Sequence, residues 1–182
     1  MVARPAVVAV CLDSEHRFSK TPVAVITLIA GSGVLGDAHA GATVQHRFVA
    51  ARDPAKPNLR QVHLIDAQFF SLAAQHGFDV GPGDLGENIT TGNLDPLKLP
   101  RDIRLNIGSA VVLRVTGLRN PCYQINNFRQ GLLKVALGKD EDGHVARLVG
   151  IMTVVEHGGQ VQPGDRISVD LPPAPHQPLA VV

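Results

Sequence analysis

The chain has 182 residues, 45% hydrophobic and 18% charged, which excludes a disordered segment and suffices for a core without disulfide or metal staples. A formal net charge of +1 gives no electrostatic ground for binding nucleic acid or an anionic membrane, and no apolar run approaches the roughly 18 residues of a membrane helix. Two cysteines, Cys11 and Cys122, are too few for a disulfide framework, so the expectation is a single domain over residues 1–182 in a reducing, cytoplasmic setting.

In chain order, Ala6 to Leu12 is the first predicted strand. It follows Arg4 as a signal peptide would, but it is short, is closed by Asp13 and has no small-residue cleavage site. Cys11 lies inside it and is expected to be inert core. A second strand over Val23 to Ala30 leads into Gly31-Ser32-Gly33-Val34-Leu35-Gly36, which matches the dinucleotide pattern GxGxxG. That pattern needs its third glycine to open a helix, yet Asp37-Ala38-His39-Ala40-Gly41 continues as a loop, so the glycines are expected to shape a turn. His39 and His46 flank this loop and are candidates for lining a site, although a loop histidine is more often a surface or hydrogen-bonding residue. Arg47, Arg52, Lys56 and Arg60 then gather basic charge on a long loop over Arg47 to Asn58.

Gln61 to Ile65 is the next strand, followed by a helix that Asp66 caps, that carries Phe69, Phe70, Ala73 and Ala74 on one face, and that Gly77 stops. Gly83 to Thr91 is a polar, glycine-spaced loop in which Asn88, Thr90 and Thr91 supply donors for an anionic or heterocyclic group. Strands follow at Ile103 to Ile107, Ala110 to Thr116, Val149 to Val155 and Arg166 to Val169, with turn residues between them. Leu171 to Pro178 opens a proline-rich tail, residues 171–182, expected to run extended over the surface. The fold class expected is α+β, mainly β, with a closed or partly closed β-barrel and a few flanking helices.

Chemistry concentrates at Gly117-Leu118-Arg119-Asn120-Pro121-Cys122. Gly117 ends a strand, and Ile125, Phe128, Leu132, Val135 and Ala136 recur at helical spacing afterwards, with Gly131 as a weakness and Gly138 as a stop. Cys122 is thereby predicted at a helix N-terminus beside Arg119, a setting that favours the thiolate, which attacks sulfur or binds a soft metal. No histidine or cysteine spacing matches a structural zinc site.

Five segments in one order, Gly36 to Gly41, Arg60 to Ile65, Pro82 to Thr90, Gly117 to Cys122, and Gly158-Gly159 to Asp165, resemble the MOSC domain, the C-terminal domain of molybdenum cofactor sulfurase. The resemblance covers about residues 30–170 and implies a β-rich fold of the pyruvate-kinase barrel type. It implies that Cys122 either ligates molybdenum in a cofactor that reduces N-hydroxylated compounds such as hydroxylaminopurines, or carries persulfide sulfur for delivery to molybdenum cofactor or other metal–sulfur centres. A non-catalytic ligand-binding domain is the third reading. The desulfurase domain of the eukaryotic sulfurase has no counterpart, so pyridoxal phosphate is not expected, and the short form is similar to stand-alone bacterial proteins related to hydroxylaminopurine detoxification. Under this resemblance Arg60, Arg119 and Lys56 are candidates for the pterin phosphate, and Asn88, Thr90 and Asn120 for the pterin ring. The implied partners are a small-molecule substrate and a separate electron-donor protein or cysteine desulfurase.

Overall fold

Strands rich in Val and Ile, with alternate side chains buried, supply most of one sheet, and the connections between them place the functional residues. The computed structural model describes residues 4–43, 53, 55–139 and 142–182. Strand β1 (Ala6–Leu12) is followed by β2 (Thr21–Val23), β3 (Ile26–Ile29) and β4 (Gly33–Val34). Next come β5 (Val62–Asp66), helix α1 (Gln68–Gln75), β6 (Ile89–Gly92), β7 (Arg104–Ile107) and β8 (Val111–Leu118). Two short helices, α2 (Gln124–Phe128) and α3 (Leu132–Ala136), precede β9 (Leu137–Lys139), β10 (Val145–Arg147), β11 (Ile151–His157), β12 (Gly159–Val161) and β13 (Ile167–Asp170).

Eight strands form one sheet in the order β13-β7-β8-β11-β5-β6-β1-β2. Every pairing in it is antiparallel except β5 with β6. A parallel pair needs a long crossover, and α1 provides it. β12-β3-β4 and β10-β9 form two small sheets. The strand β8 shows the alternation clearly: Val111, Leu113 and Val115 are buried, while Arg114 between them joins Glu156, Asp102 and Arg104 in a partly exposed ion-pair network.

The fold is therefore mostly β with few helices, as expected. Among the described residues no sheet is closed into a barrel by a continuous ladder. β1 meets the residue before β13 at an isolated antiparallel bridge, Ala6 with Arg166, flanked by Val7 N–H to Asp165 O at 2.8 Å and Ile167 N–H to Pro5 O at 3.0 Å. The turn at 162–165, closed by Gln162 N–H on the Asp165 carboxylate, keeps that contact short.

Several local expectations are corrected. The stretch Val23 to Ala30 divides into β2 and β3, and Ala74 on α1 is exposed while Phe69 and Ala73 are buried. Asp66 does cap α1, accepting from Gln68 N–H at 3.0 Å. The helix predicted through Ala136 breaks in two, because Gly131 adopts φ +94° and the Asn126 side chain accepts from the N–H groups of Gly131 and Leu133. Gly138 lies in β9 rather than ending a helix. Ile89, Thr90 and Thr91 form the central strand β6 instead of a ligand-facing loop. The glycines at 31 and 33 do shape the β3–β4 hairpin; a Cβ at Gly33 would stand 2.8 Å from Gln61 O.

The apolar side chains of the sheets make one core, and Ile65, Phe69, Ala73, Val80, Leu85, Ile125, Leu132, Ala136 and Val149 make a second beneath the helices. Full burial of Ile125 in that second cluster contributes about 1.5–3 kcal/mol and anchors α2 three residues past Cys122. Gly150 sits where the second core meets the sheet, with φ +86° and an imagined Cβ 1.9 Å from Leu64 O. Gly150→Ala is expected to cost about 2 kcal/mol or more, measured as a lower denaturation midpoint at unchanged slope.

Candidate functional site

Cys122 follows β8 after three irregular residues, 119–121, and stands one residue before Tyr123, the N-cap of the five-residue α2, so it precedes the helix N-terminus at which the sequence predicts it. Pro121 and Ile125 on either side are buried, Tyr123 is exposed, and the thiol itself is half-buried. Ile125 N–H donates to Cys122 O at 3.1 Å, and the Cys122 Sγ lies 3.4 Å from Gln124 Oε1. Two guanidiniums share this neighbourhood electrostatically. Burial pushes the pKa of Arg119 down; the charges of Cys122 and Glu87 oppose the fall, and Arg60 adds to it. Burial likewise lowers Arg60, opposed by Cys122. The Arg119 Nη1 is buried without a hydrogen-bond partner, and its guanidinium lies 5.9 Å from the Phe18 ring centroid. Its backbone N–H donates to Gly150 O at 3.1 Å, fixing the strand end.

Behind Arg119 lies a buried polar cluster. Glu87 is fully buried; its Oε1 accepts from Gly83 N–H at 2.6 Å and Thr90 Oγ1 at 3.3 Å, and its Oε2 has no partner. Burial raises its pKa against those hydrogen bonds. His63 is held well below the ordinary histidine value by burial and by Arg119, so its neutral ring donates from Nε2 to Val149 O at 2.7 Å. Asp37 receives Lys20 Nζ at 2.5 Å, Asn88 Nδ2 at 3.0 Å and His39 N–H at 2.9 Å. Burial by itself would raise the Asp37 pKa; the His39 hydrogen bond and the Lys20 charge override it and hold the carboxylate well below its ordinary 3.8.

The family model for the MOSC domain matches residues 52–168, more than half of the chain and the whole span from Arg60 through Cys122 to β13. The chain belongs to the MOSC domain family. Solved structures agree on the fold. The YuaD protein from Bacillus subtilis is 24% identical, with a TM-score of 0.74 over 93% of this chain and 98% of YuaD. YiiM from Escherichia coli is 18% identical, with a TM-score of 0.63 over 96% of this chain and 73% of YiiM. YiiM from Geobacillus stearothermophilus is 18% identical, with a TM-score of 0.58 over 93% and 74%. No curated protein matches the sequence.

In this MOSC domain the predicted site residues separate into two groups. Cys122, Arg119 and Arg60 come together. Asn88 and Thr90 are buried and their polar atoms are taken up inside the fold: Asn88 bonds Asp37, Cys11 O and His63 N–H, and Thr90 bonds Glu87. His39 is half-exposed, with Nδ1 3.3 Å from Asp37 Oδ1 and its ring 5.2 Å from His16. Asn120 is exposed and accepts from Arg147 Nε at 3.3 Å, and Lys56 is exposed on its loop. His46, Arg47 and Arg52 lie outside the described residues. Lys20 lies outside the segments that carry the family resemblance and His63 and Glu87 lie inside two of them, yet nothing in the linear order of residues shows that all three are buried. Neither of two surface cavities, of about 420 and 160 Å³, is lined by Cys122. Among the described residues no three His, Cys, Asp or Glu side chains gather as a metal site, and no helix is long and apolar enough to cross a membrane.

The two cysteines are expected to differ in reactivity. Burial, with the Glu87 charge, pushes Cys11 up to about 12, and its side chain is fully buried. Iodoacetamide at about pH 8 should label Cys122 in the folded protein and leave Cys11 unmodified until denaturant is added, as read by peptide mass.

The Asp37 carboxylate also sets a pH dependence. Its pKa is depressed in the fold, so its stabilising contribution is complete above about pH 4 and is withdrawn as pH falls through the lower folded value. Lys20→Met leaves a buried unpaired carboxylate, and is expected to cost about 3–5 kcal/mol at neutral pH and to flatten the acid limb of stability measured by denaturant titration.

Proposed function

We propose that this MOSC-domain chain binds molybdenum cofactor with Cys122 as the thiolate ligand to molybdenum, and that it reduces N-hydroxylated small molecules. The observation that carries the reading is the buried, unpartnered Arg119 Nη1 in the electrostatic neighbourhood of both Cys122 and Arg60. A buried donor without an acceptor leaves its desolvation uncompensated, and a pterin phosphate is an acceptor that two guanidiniums suit. The donor set fits the group: one soft sulfur for the metal and two planar cations for the phosphate.

The chain's own residues then have distinct roles. Cys122 presents sulfur from the irregular segment before α2, between buried Pro121 and Ile125. Arg119 and Arg60 bind the anionic group, and Glu87 balances the charge of Arg119 from the interior. Lys56 and Asn120 stand on the exposed side as lesser contacts, and His39 at the rim of the Asp37 cluster. Asn88 and Thr90 act indirectly, by fixing Asp37 and Glu87. The cofactor, when bound, supplies the metal-centred redox chemistry. A separate protein would bring the electrons, in a cytoplasmic setting. We also read the large sheet as a partly closed barrel of the pyruvate-kinase type, supported by the Ala6–Arg166 bridge.

Partial exposure of the Cys122 sulfur favours a second reading, sulfur carriage. There the Cys122 thiolate attacks the outer sulfur of a desulfurase persulfide, the desulfurase thiolate leaves, and Cys122 keeps the persulfide.

Protein made in a host that synthesises molybdenum cofactor should hold near-stoichiometric molybdenum by elemental analysis. Cys122→Ser should lose it and Cys11→Ser should retain it. Wild-type protein without molybdenum would overturn the reductase reading. Incubation with a cysteine desulfurase and cysteine, followed by mass spectrometry, should add one sulfur at Cys122 if the carrier reading holds.

A further inference from the structure

Residues 180–182 are bound along the end of β8. Leu118 N–H donates to Ala180 O at 2.8 Å, Val182 N–H donates to Leu118 O at 3.3 Å, and Val181 makes a parallel bridge to Leu118. Contact this close requires Gly117, where a Cβ would stand 2.4 Å from Ala180 O and 2.6 Å from Val182 Cγ1. The strap therefore lies on the two residues that lead into Arg119 and Cys122. Its far end reaches the site itself: the Arg60 guanidinium donates from Nη2 to the Val182 backbone oxygen.

We infer that residues 180–182 are a displaceable strap whose Val182 oxygen occupies Arg60 in place of an anionic ligand oxygen, so that an oxyanion of the phosphate class binds beside Cys122 by displacing it.

Three observations support this. Arg119, lowered chiefly by burial, is lowered further by the like charge of Arg60, and an oxyanion bound at the pair offsets that repulsion. The Arg119 Nη1, which shares that neighbourhood, is still without an acceptor while the strap is in place. The strap is also weakly held, by two backbone hydrogen bonds and the Arg60 contact, with Ala180 and Val181 exposed, and such segments open locally at low cost. The inference rests on the anion-binding role proposed for Arg60 and not on the molybdenum centre.

The test compares two alkylating reagents of Cys122, anionic iodoacetate and neutral iodoacetamide, at low ionic strength. Gly117→Ala, which places a methyl group where the strap lies, and a chain ending at Leu179 displace the strap by different means. Both should raise the iodoacetate-to-iodoacetamide rate ratio about fivefold, as a freed guanidinium attracts the anionic reagent, and Arg60→Gln in either background should return it to the wild-type ratio. An unchanged ratio, an equal rise with both reagents, or a rise that survives Arg60→Gln overturns the inference. Hydrogen exchange on the wild-type protein covers the case in which either variant folds poorly. Inorganic pyrophosphate at a concentration that slows iodoacetate modification should speed exchange at the Leu118 and Val182 amides, and unaltered exchange there overturns the inference. No molybdenum enters these measurements, so their failure and the failure of metal binding are read separately.

Discussion

A carboxylate removed from water must be met by donors, and Asp37 is the point at which this MOSC domain meets that requirement. Lys20, Asn88 and the His39 amide converge on it from three separate segments. Asn88 also bonds Cys11 O and His63 N–H, so the same network ties the loops after β1 and β4 to the central strands β5 and β6. Loss of a donor leaves a charge that the interior cannot solvate, which makes the arrangement close to all-or-none. Strands β5 and β6, which carry His63 and Thr90, and the loop before β6 that carries Glu87 are held in place partly by this constraint.

Cation placement is the second constraint. Arg119 pays for burial with a lowered pKa, yet it keeps the negative charges of Cys122 and Glu87 as neighbours on either side. Arg60 stands just before β5 and is engaged by the Val182 oxygen. The proposed binding rests on a half-buried sulfur, a guanidinium whose buried Nη1 has no acceptor, and a second guanidinium engaged by a backbone oxygen.

Much of the fold was legible from local pattern. The limits of β1 coincide with the predicted Ala6 to Leu12, and β8 and β11 lie within two residues of their predicted limits, because alternating or continuous β-branched residues bounded by glycine and aspartate are local signals. Strand β6 was hidden because Thr90 and Thr91 are polar yet fully buried, satisfied by Glu87, Asp66 and Ile65 O, partners that a linear pattern does not display. The split between α2 and α3 was hidden for a related reason: Gly131 only weakens a helix until the Asn126 side chain offers its N–H another acceptor.

The linear order of residues was enough to put a thiol after a strand end and next to an arginine, since both properties belong to neighbours along the backbone. Folding settled which other charges reach that thiol, which polar residues turn inward, and what covers Arg60. Those are contacts between segments far apart in the chain, and the desolvation that gives them their strength exists only once the strands have packed.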